Sequence, residues 1–287
     1  MSISDARLKE INIGQKLITY SEVVNKLGFT ELSGGIKRRA DNLVNSKYRI
    51  LVIGEFKRGK STLLNALLGT DILPAKMAPC TAIPTVITYA KEPRAIVKFN
   101  NKFVEYSLDE FKNKYQLQAS EDFSNSALQK DRFDKISSAT ICYPLDILKN
   151  GVDIIDSPGL AESPIRTART IKALQQVDAV LFVLDATQLL TTDELSFIDN
   201  RLIKQGIRNL FFVINKWNKV KEDGLSKQSI QKDYNDLNER IDSYLTPRLG
   251  GLETNRIFRV NALGSLKNKL NNNDDLHENG IIDLESS

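Results

Sequence analysis

The stretch from Gly54 to Ser61 constrains the fold of this chain more than any other part of its sequence. It reads Gly54-Glu55-Phe56-Lys57-Arg58-Gly59-Lys60-Ser61 and fits the pattern G-x-x-x-x-G-K-[ST]. An apolar run that ends at Ile53 precedes it, and a helix-forming run that begins at Thr62 follows it. In a strand–loop–helix unit of this kind, backbone N–H groups of the loop and of the helix N-terminus bind anionic phosphates. The sequence therefore predicts a P-loop that binds a purine nucleoside triphosphate.

The P-loop pattern assigns a separate task to each of its last residues. Gly59 lets the backbone approach the phosphates closely, and Lys60 is expected to bridge the β- and γ-phosphates. The Ser61 hydroxyl is expected to hold Mg²⁺. We predict nucleotide contacts from the whole loop and from the helix start beyond it, at Gly54, Glu55, Phe56, Lys57, Arg58, Gly59, Lys60, Ser61 and Thr62.

A second phosphate-facing turn is predicted at Asp156-Ser157-Pro158-Gly159, which supplies D-x-x-G after an apolar run. Asp156 is expected to reach Mg²⁺ through water, and the N–H of Gly159 is expected to meet the γ-phosphate. Asp, Pro and Gly are also ordinary residues of a turn that leaves a strand. Because a P-loop precedes this turn, the nucleotide-binding interpretation is favoured.

The proline-punctuated stretch from Pro74 to Pro84 contains the candidate switch threonine, Thr81. Its hydroxyl would join the Mg²⁺ shell while its backbone holds the attacking water. Ordering of such a segment is the usual way in which a γ-phosphate is sensed. Thr85 is the competing candidate, and a threonine at a turn or strand entry is the purely structural alternative.

The tetrapeptide Asn215-Lys216-Trp217-Asn218 stands where N-K-x-D would recognise guanine. An Asp at the fourth position accepts two hydrogen bonds from guanine, whereas the amide of Asn218 offers one acceptor oxygen and two donor hydrogens. Losing a charge-assisted hydrogen bond costs roughly 1.5–3 kcal/mol. Asn215 and Lys216 thus favour GTP as substrate, while Asn218 predicts weaker discrimination for guanine.

A last base-contacting turn is predicted at Asn261-Ala262, after the apolar run from Ile257 to Val260. The motif is loose, and an Asn at this point is equally typical of a helix N-cap. Both interpretations of Asn261 remain open from the sequence.

The composition of the 287 residues is that of a soluble globular protein, with 41% hydrophobic and 26% charged residues. A formal net charge of only +4 does not suggest a dedicated nucleic-acid binder, so no specific nucleic acid is expected as partner. The apolar runs are too short to span a bilayer, and the N-terminus lacks a secretion signal. Two isolated cysteines, Cys80 and Cys142, fit a reducing compartment, so we expect a cytoplasmic location.

The spacing of apolar residues changes along the chain. It predicts helices through residues 1–46, with a joint at Ser33-Gly34-Gly35. From Tyr48 onward, short β-branched runs alternate with helical stretches, which is typical of a parallel sheet flanked by helices. The predicted strands are Ile50–Ile53, Val86–Tyr89, Ala95–Phe99, Ala139–Cys142, Val152–Ile155, Ala179–Leu184, Leu210–Ile214 and Ile257–Val260. Helices are expected after Lys60, Ser163, Thr192, Ser226 and Ala262, and from Gly280 onward.

These patterns predict an α/β P-loop NTPase fold with a mostly parallel central sheet flanked by helices. We expect two parts, an N-terminal helical segment over residues 1–46 and a nucleotide-binding domain over residues 47–287.

Together the motifs resemble those of the dynamin superfamily, and especially of the bacterial dynamin-like proteins. The resemblance is carried by the Lys-Arg-Gly-Lys-Ser core of the P-loop, by Leu73-Pro74 and Pro79-Cys80-Thr81-Ala82, by Asp156-Ser157-Pro158-Gly159-Leu160 and by Asn215-Lys216-Trp217. The spacing from Lys60 to Thr81 is that of the family's lysine and switch threonine, which favours Thr81 over Thr85.

The resemblance implies a GTPase domain that depends on Mg²⁺, dimerises with itself across the nucleotide face and remodels membranes through a helical stalk. Residues 1–46 would then be a neck-like segment. The chain ends at Ser287, where the resemblance places the last helix of the GTPase domain. We therefore expect a domain that is truncated relative to the family, either because the chain is a fragment or because the remaining helices come from another chain. It is expected to contact a membrane only through the missing stalk, and to act in the cytoplasm or at the inner face of a membrane.

The residues expected to carry hydrolysis follow from Leu160 and from the cations of the P-loop. Leu160 stands where Ras-type GTPases place a catalytic Gln, and its side chain cannot orient water. Dynamin relatives use a cation near the β–γ bridge, and the corresponding positions here are Lys57 and Arg58. The predicted catalytic residues are therefore Thr81, Lys57, Arg58 and Lys60, although Lys57 and Arg58 could equally be solvated or serve a dimer interface.

Two other functions compete with a dynamin-like GTPase. A translation or ribosome-assembly GTPase would carry a basic RNA-binding appendage. A nucleotide-dependent interaction switch with little turnover would fit Leu160 and Asn218.

Overall fold

The structure is a computed structural model of the chain. It describes residues 3–45, 47–73, 85–99, 102–115, 136–157, 174, 177–204, 206–207, 209–222, 227–249, 256–272 and 279–285.

A nine-stranded sheet forms the centre of the molecule. Its strands in chain order are β1 Tyr48–Ile53, β2 Thr85–Tyr89, β3 Arg94–Phe99, β4 Lys102–Tyr106, β5 Ile136–Tyr143, β6 Val152–Asp156, β7 Ala179–Asp185, β8 Leu210–Asn215 and β9 Ile257–Val260. Across the sheet they are ordered β4-β3-β5-β2-β6-β1-β7-β8-β9. Every predicted strand is present, and the predicted α/β fold with a large central sheet is confirmed.

The five strands β6-β1-β7-β8-β9 run parallel, and the antiparallel pairs lie on the other side of the sheet. There β2 is antiparallel to β6, and β3 is antiparallel to both β5 and β4. Strand β4 was not predicted, because the side chains of Lys102, Phe103, Val104 and Glu105 are exposed and do not show the alternation of a half-buried strand. In the parallel part, all carboxyl ends meet at one edge, where ligands of α/β sheets bind.

The described helices flank the sheet on both faces. They are α1 Ile3–Lys26, α2 Thr30–Asn45, α3 Lys60–Leu68, α4 Leu108–Tyr115, α5 Thr192–Phe197, α6 Lys219–Glu222, α7 Lys227–Tyr244, α8 Ala262–Leu270 and α9 Ile281–Glu285. A π-helix, Ile198–Ile203, continues α5. Of the helix expected after Ser163, only Leu174 lies among the described residues, where it is helical and buried. Among the described helices, none has both the length and the apolar content needed to cross a membrane.

Successive residues of β1 enter different cores. Val52 packs in a cluster with Leu63 of α3, whereas Leu51 packs in a second cluster with Phe182 of β7 and Ile241 of α7. Adjacent side chains of a strand point to opposite faces, so the central strands are buried on both sides. This explains why they read as continuous apolar runs.

Helices α1 and α2 form a helical pair before the sheet. The predicted joint at Ser33-Gly34-Gly35 is wrong, because these residues lie inside α2 and the turn falls at Gly28, with φ +89°. The hydroxyl of Ser33 donates to the carbonyl oxygen of Ser21 at 2.8 Å, which fixes this part of α2 against α1. That contact stabilises a helix in which two glycines would otherwise favour a break.

Arg7 of α1 ties the helical pair to the rest of the molecule. It is 3% exposed, and its guanidinium donates to the carbonyl oxygens of Leu43 at 2.7 Å, Val44 at 3.0 Å and Asn150 at 2.9 Å. Asn150 belongs to the turn that precedes β6. The predicted division of the chain into residues 1–46 and 47–287 stays a prediction.

Candidate nucleotide-binding site

The loop between β1 and α3 leaves the sheet at its carboxyl edge. A Cβ at Gly54 would lie 2.4 Å from the carbonyl oxygen of Val183, and a Cβ at Gly59 would lie 2.3 Å from Nδ2 of Asn215. Glycine is therefore required at both positions by close packing against β7 and β8. Between them, Lys57 has φ +64°, a left-handed conformation that costs a residue with a Cβ roughly 1–2 kcal/mol.

Lys60 and Ser61 begin α3, and both are buried. The ammonium of Lys60 donates to the carbonyl oxygens of Gly54 at 2.8 Å and Glu55 at 2.9 Å. The side chain thus turns back over the loop, and its charge lies within the curve of the loop. Thr62 follows as a half-buried residue in the first turn of the helix.

Asp156 ends β6 beside the start of the P-loop, since it is in register with Val52 of β1. The next residue, Ser157, donates its hydroxyl to the carbonyl oxygen of Val52 at 2.8 Å, which fixes the chain as it leaves the strand. Asp156 is 6% exposed. A carboxylate and a hydroxyl are oxygen ligands of the kind that Mg²⁺ prefers, so Asp156 and Ser61 suit this ion as a donor set.

The predicted switch residues lie largely outside the described residues. This applies to Thr81, the third predicted metal ligand, to Gly159 and to Leu160. The competing threonine, Thr85, begins β2, where it is buried and pairs with Asp156 across the antiparallel ladder. The choice of Thr81 stays a prediction.

Asn215 ends β8 and fastens three segments of the site to one another. Its Nδ2 donates to the carbonyl oxygen of Arg58 at 3.0 Å. Its Oδ1 accepts from the N–H groups of Lys216 at 2.8 Å and Ala262 at 3.1 Å. One buried amide therefore links the P-loop, the end of β8 and the start of α8.

Lys216 has φ +60° and reaches back to the P-loop, where its ammonium donates to the carbonyl oxygen of Lys57 at 2.9 Å. The same ammonium forms an ion pair with Asp185, the last residue of β7. Burial raises the pKa of Asp185, but hydrogen bonds from Lys216 and Thr187 outweigh it, so the pKa lies below its usual value. Sequence reasoning missed Asp185, although it follows an apolar run just as Asp156 and Asn215 do.

The two remaining base-pocket candidates differ in their surroundings. Asn218 is half-buried, two residues beyond Lys216. Asn261 caps α8: its Oδ1 accepts from the N–H of Gly264 at 3.0 Å, and its Nδ2 donates to Asn279 at 2.9 Å. These contacts favour the N-cap interpretation of Asn261, while Ala262 touches the site through its backbone N–H.

The cations of the loop, Lys57 and Arg58, occupy opposite environments. Lys57 is exposed with its neighbour Phe56, and its Nζ lies 5.6 Å from the centre of the Phe56 ring. Arg58 is only 4% exposed, and its guanidinium turns away from solvent toward the connection between β7 and α5. Its predicted use as a phosphate-facing cation would require the guanidinium to leave this buried position.

We call the side chains around this guanidinium the Arg58 cluster: Glu55, Arg58, Gln188, Thr191 and Glu194. Arg58 donates from Nε to Glu194 at 2.9 Å and from Nη1 to Gln188 at 3.0 Å, and it pairs with the carboxylate of Glu55. Glu194 is completely buried, and burial raises its pKa against the lowering effect of bonds from Thr191 and Arg58. The hydroxyl of Thr191 donates to Glu55 at 2.8 Å, which closes the cluster.

A sequence model of the Dynamin family matches residues 50–217, which include the P-loop, Asp156 and Asn215-Lys216. The chain belongs to the dynamin family. The match covers more than half of the chain and includes β6, β7, β8 and most of β1, whereas β9 lies beyond it.

Individual members of the dynamin family support this assignment. The chain is 33% identical over 240 residues to a bacterial dynamin-like protein of Nostoc punctiforme, across 80% of the chain and 34% of that protein. It is 27% identical over 278 residues to Dynamin-like protein 1 of Campylobacter jejuni, across 87% of the chain and 37% of that protein. The fold is similar to a solved structure of an oligomerised bacterial dynamin pair, with a TM-score of 0.66 at 22% identity, covering 96% of the chain and 42% of its counterpart.

The chain is thus similar to only part of these dynamins. It spans about a third of the Nostoc and Campylobacter proteins and less than half of the solved dynamin chain.

Proposed function

We propose that this dynamin-family chain binds GTP and hydrolyses it to GDP and phosphate in a reaction that depends on Mg²⁺. One observation carries the proposal: the P-loop follows β1, β6 lies in register beside β1, and Asn215 at the end of β8 bonds both to the P-loop and to the residue after β9 that begins α8. An edge of this kind offers backbone N–H groups, a buried lysine and a carboxylate to a triphosphate.

The residues at this edge divide the work of binding. The Lys60 ammonium already lies inside the loop and would pair with the β- and γ-phosphates on binding. Ser61 and Asp156, with Thr81, would hold Mg²⁺, which when bound neutralises charge on the phosphates. Asn215 and Lys216 would present the base pocket, in which Asn218 would contact guanine with one acceptor oxygen.

Turnover requires positive charge near the bond that breaks. Lys57 is exposed at the loop surface and supports this role, because its ammonium could move over the phosphates without breaking an ion pair with a described residue. Thr81 would hold the attacking water through its backbone, because the side chain of Leu160 cannot orient water.

The wider role is inferred from the relatives. One similar structure is described as an oligomerised bacterial dynamin pair for long-range sensing and tethering of membranes, and a relative 27% identical over 252 residues is the mitofusin FZO1 of Saccharomyces cerevisiae. We therefore propose that the chain dimerises across its nucleotide face and serves membrane remodelling, with the helical pair of residues 1–46 as a neck-like segment beside a GTPase domain over residues 47–287.

The test compares Lys60→Ala with Lys149→Ala. Lys149 is a half-exposed lysine that pairs with Asp146 before β6, at the amino edge of the sheet. Titration calorimetry with a non-hydrolysable GTP analogue and Mg²⁺ should give tight binding for the wild type and for Lys149→Ala. Lys60→Ala should lose it, because it removes the charge paired with the phosphates. Unchanged affinity of Lys60→Ala, or no binding by the wild type, would refute the proposed function.

A further inference from the structure

The P-loop is held by hydrogen bonds from two sides at Lys57 and Arg58. On the side of β8, Lys216 donates to the carbonyl oxygen of Lys57 at 2.9 Å, and Asn215 donates to the carbonyl oxygen of Arg58 at 3.0 Å. On the side of α5, the other members of the Arg58 cluster hold the guanidinium of Arg58. The backbone between Lys57 and Gly59 therefore lies between two sets of contacts.

This stretch of loop needs such support. Lys57 has φ +64°, which residues with a Cβ adopt only where the surroundings over-determine the conformation. The following amides, from Arg58 to Ser61, lead into α3, and their direction depends on that turn. A loop released from its contacts would relax toward ordinary backbone angles and scatter these N–H groups.

Glu194 anchors Arg58 to the start of α5. It is completely buried, and it is also the third residue of α5, where it forms a capping box with Thr191. In that capping box the N–H of Thr191 donates to Oε2 of Glu194 at 2.9 Å, while Oε1 accepts from Nε of Arg58 at 2.9 Å. One carboxylate thus joins the helix start to the P-loop, 136 positions apart in the sequence.

We propose that Glu194, together with Glu55, is a positioning residue of the phosphate loop, and that the Arg58 cluster sets the affinity for triphosphate by holding Lys57 in its left-handed conformation. The proposal rests on the proposed function, since it assigns a role within the same site. Neither carboxylate touches the nucleotide in this role, so both act through Arg58.

If charge alone mattered, removing a carboxylate of the cluster would have the opposite effect on triphosphate affinity. The direction of the change in affinity therefore tests the proposal. The cluster holds two carboxylates and one guanidinium, so it places a net negative charge beside a site for a polyanion. Removing one carboxylate would then strengthen binding if charge were the only effect. Positioning requires that the same change weakens binding.

The experiment measures the affinity of the full chain for a non-hydrolysable GTP analogue with Mg²⁺, at a temperature where every variant is folded by circular dichroism. Glu194→Gln is the main variant, because glutamine keeps the capping box while it weakens the pairing with Arg58. We expect about tenfold weaker binding, as for loss of a hydrogen bond to a charged group. Glu55→Gln, which changes the half-buried carboxylate of the cluster, should weaken binding in the same direction and serves if Glu194→Gln does not fold.

Asp153→Asn is the matched control. Asp153 is 3% exposed and accepts hydrogen bonds from Lys47 at 3.0 Å and Thr88 at 2.6 Å, in the half of β6 away from the loop. The Asp153→Asn variant loses a comparably buried carboxylate. Its affinity for the GTP analogue should stay within about twofold of the wild type, since no contact of the P-loop changes.

A double-mutant cycle with Lys57→Gly separates positioning from general stability. Glycine adopts φ +64° without steric cost, so the loop should then depend less on the cluster. We expect Glu194→Gln to weaken binding less than about threefold in the Lys57→Gly background. Wild-type affinity or tighter binding in Glu194→Gln and Glu55→Gln, or an equal loss in both backgrounds, would overturn the proposal. If the wild type binds no analogue, the proposed function has failed instead.

Discussion

Removal of the Asn215 side chain should damage both the stability of the chain and its nucleotide site. The amide makes three hydrogen bonds, to the carbonyl oxygen of Arg58 and to the N–H groups of Lys216 and Ala262, and the residue is 3% exposed. Each net hydrogen bond is worth about 0.5–1.5 kcal/mol. Asn215→Ala leaves three backbone groups without this partner, so we expect a loss of about 2–4 kcal/mol in the free energy of unfolding.

A matched variant, Asn215→Asp, separates these bonds. It keeps an acceptor for Lys216 and Ala262 but replaces the donor to Arg58 with an oxygen that repels the carbonyl. Urea unfolding followed by circular dichroism should place its stability loss below that of Asn215→Ala, whereas calorimetry should show weaker binding of the GTP analogue in both variants. A loss below about 0.5 kcal/mol for Asn215→Ala, with unchanged affinity, would show that Asn215 does not fasten the site.

Three further predictions concern specificity, turnover and acid stability. Asn218→Asp should increase the preference for GTP over ATP, because a carboxylate accepts both guanine bonds; calorimetry with GTP, XTP and ATP checks it, and strict GTP selectivity of the wild type would contradict it. Phosphate release per molecule should rise with protein concentration, and Thr81→Ala should remove the activated rate while binding persists; a flat dilution profile would contradict dimer activation. The lowered pKa of Asp185 means that it contributes stability above its unfolded pKa of about 3.9 and loses it as the pH falls through the lower folded value. The urea midpoint of unfolding of Asp185→Asn should therefore be lower than that of the wild type near neutrality, and it should fall less than the wild-type midpoint as the pH is lowered.

The strand ends of the site could be predicted because each follows a strong local pattern. Apolar runs before Gly54, Asp156, Asn215 and Asn261 predict buried parallel strands, and parallel strands bring their carboxyl ends to one edge of the sheet. The motif residues then have little choice of location. Asp185 fits the same rule, and it was missed only because it belongs to no familiar motif.

The contacts between distant segments could not be predicted in this way. Arg58 and Glu194 are separated by 136 positions, and nothing in either local pattern names the other. The turn at Gly28 could not be predicted locally either, since α2 continues through two glycines and its Ser33 hydroxyl bonds to Ser21 of α1. Side-chain partners of this kind follow from packing, which local propensity does not contain.

The burial of Arg58 sets a cost on its use as a phosphate-facing cation. Turning the guanidinium outward would leave Glu194 as a fully buried carboxylate without its ion pair, and breaking a buried pair costs about 3–5 kcal/mol. A contact with phosphate would have to offset that loss before it stabilised anything. Lys57 meets no such barrier, because its side chain is exposed and forms no ion pair with any residue that the structure describes, while its backbone carbonyl is held by Lys216. The sequence offered both residues as phosphate-facing cations. We propose Lys57 for that role, with Arg58 holding the backbone from which Lys57 extends.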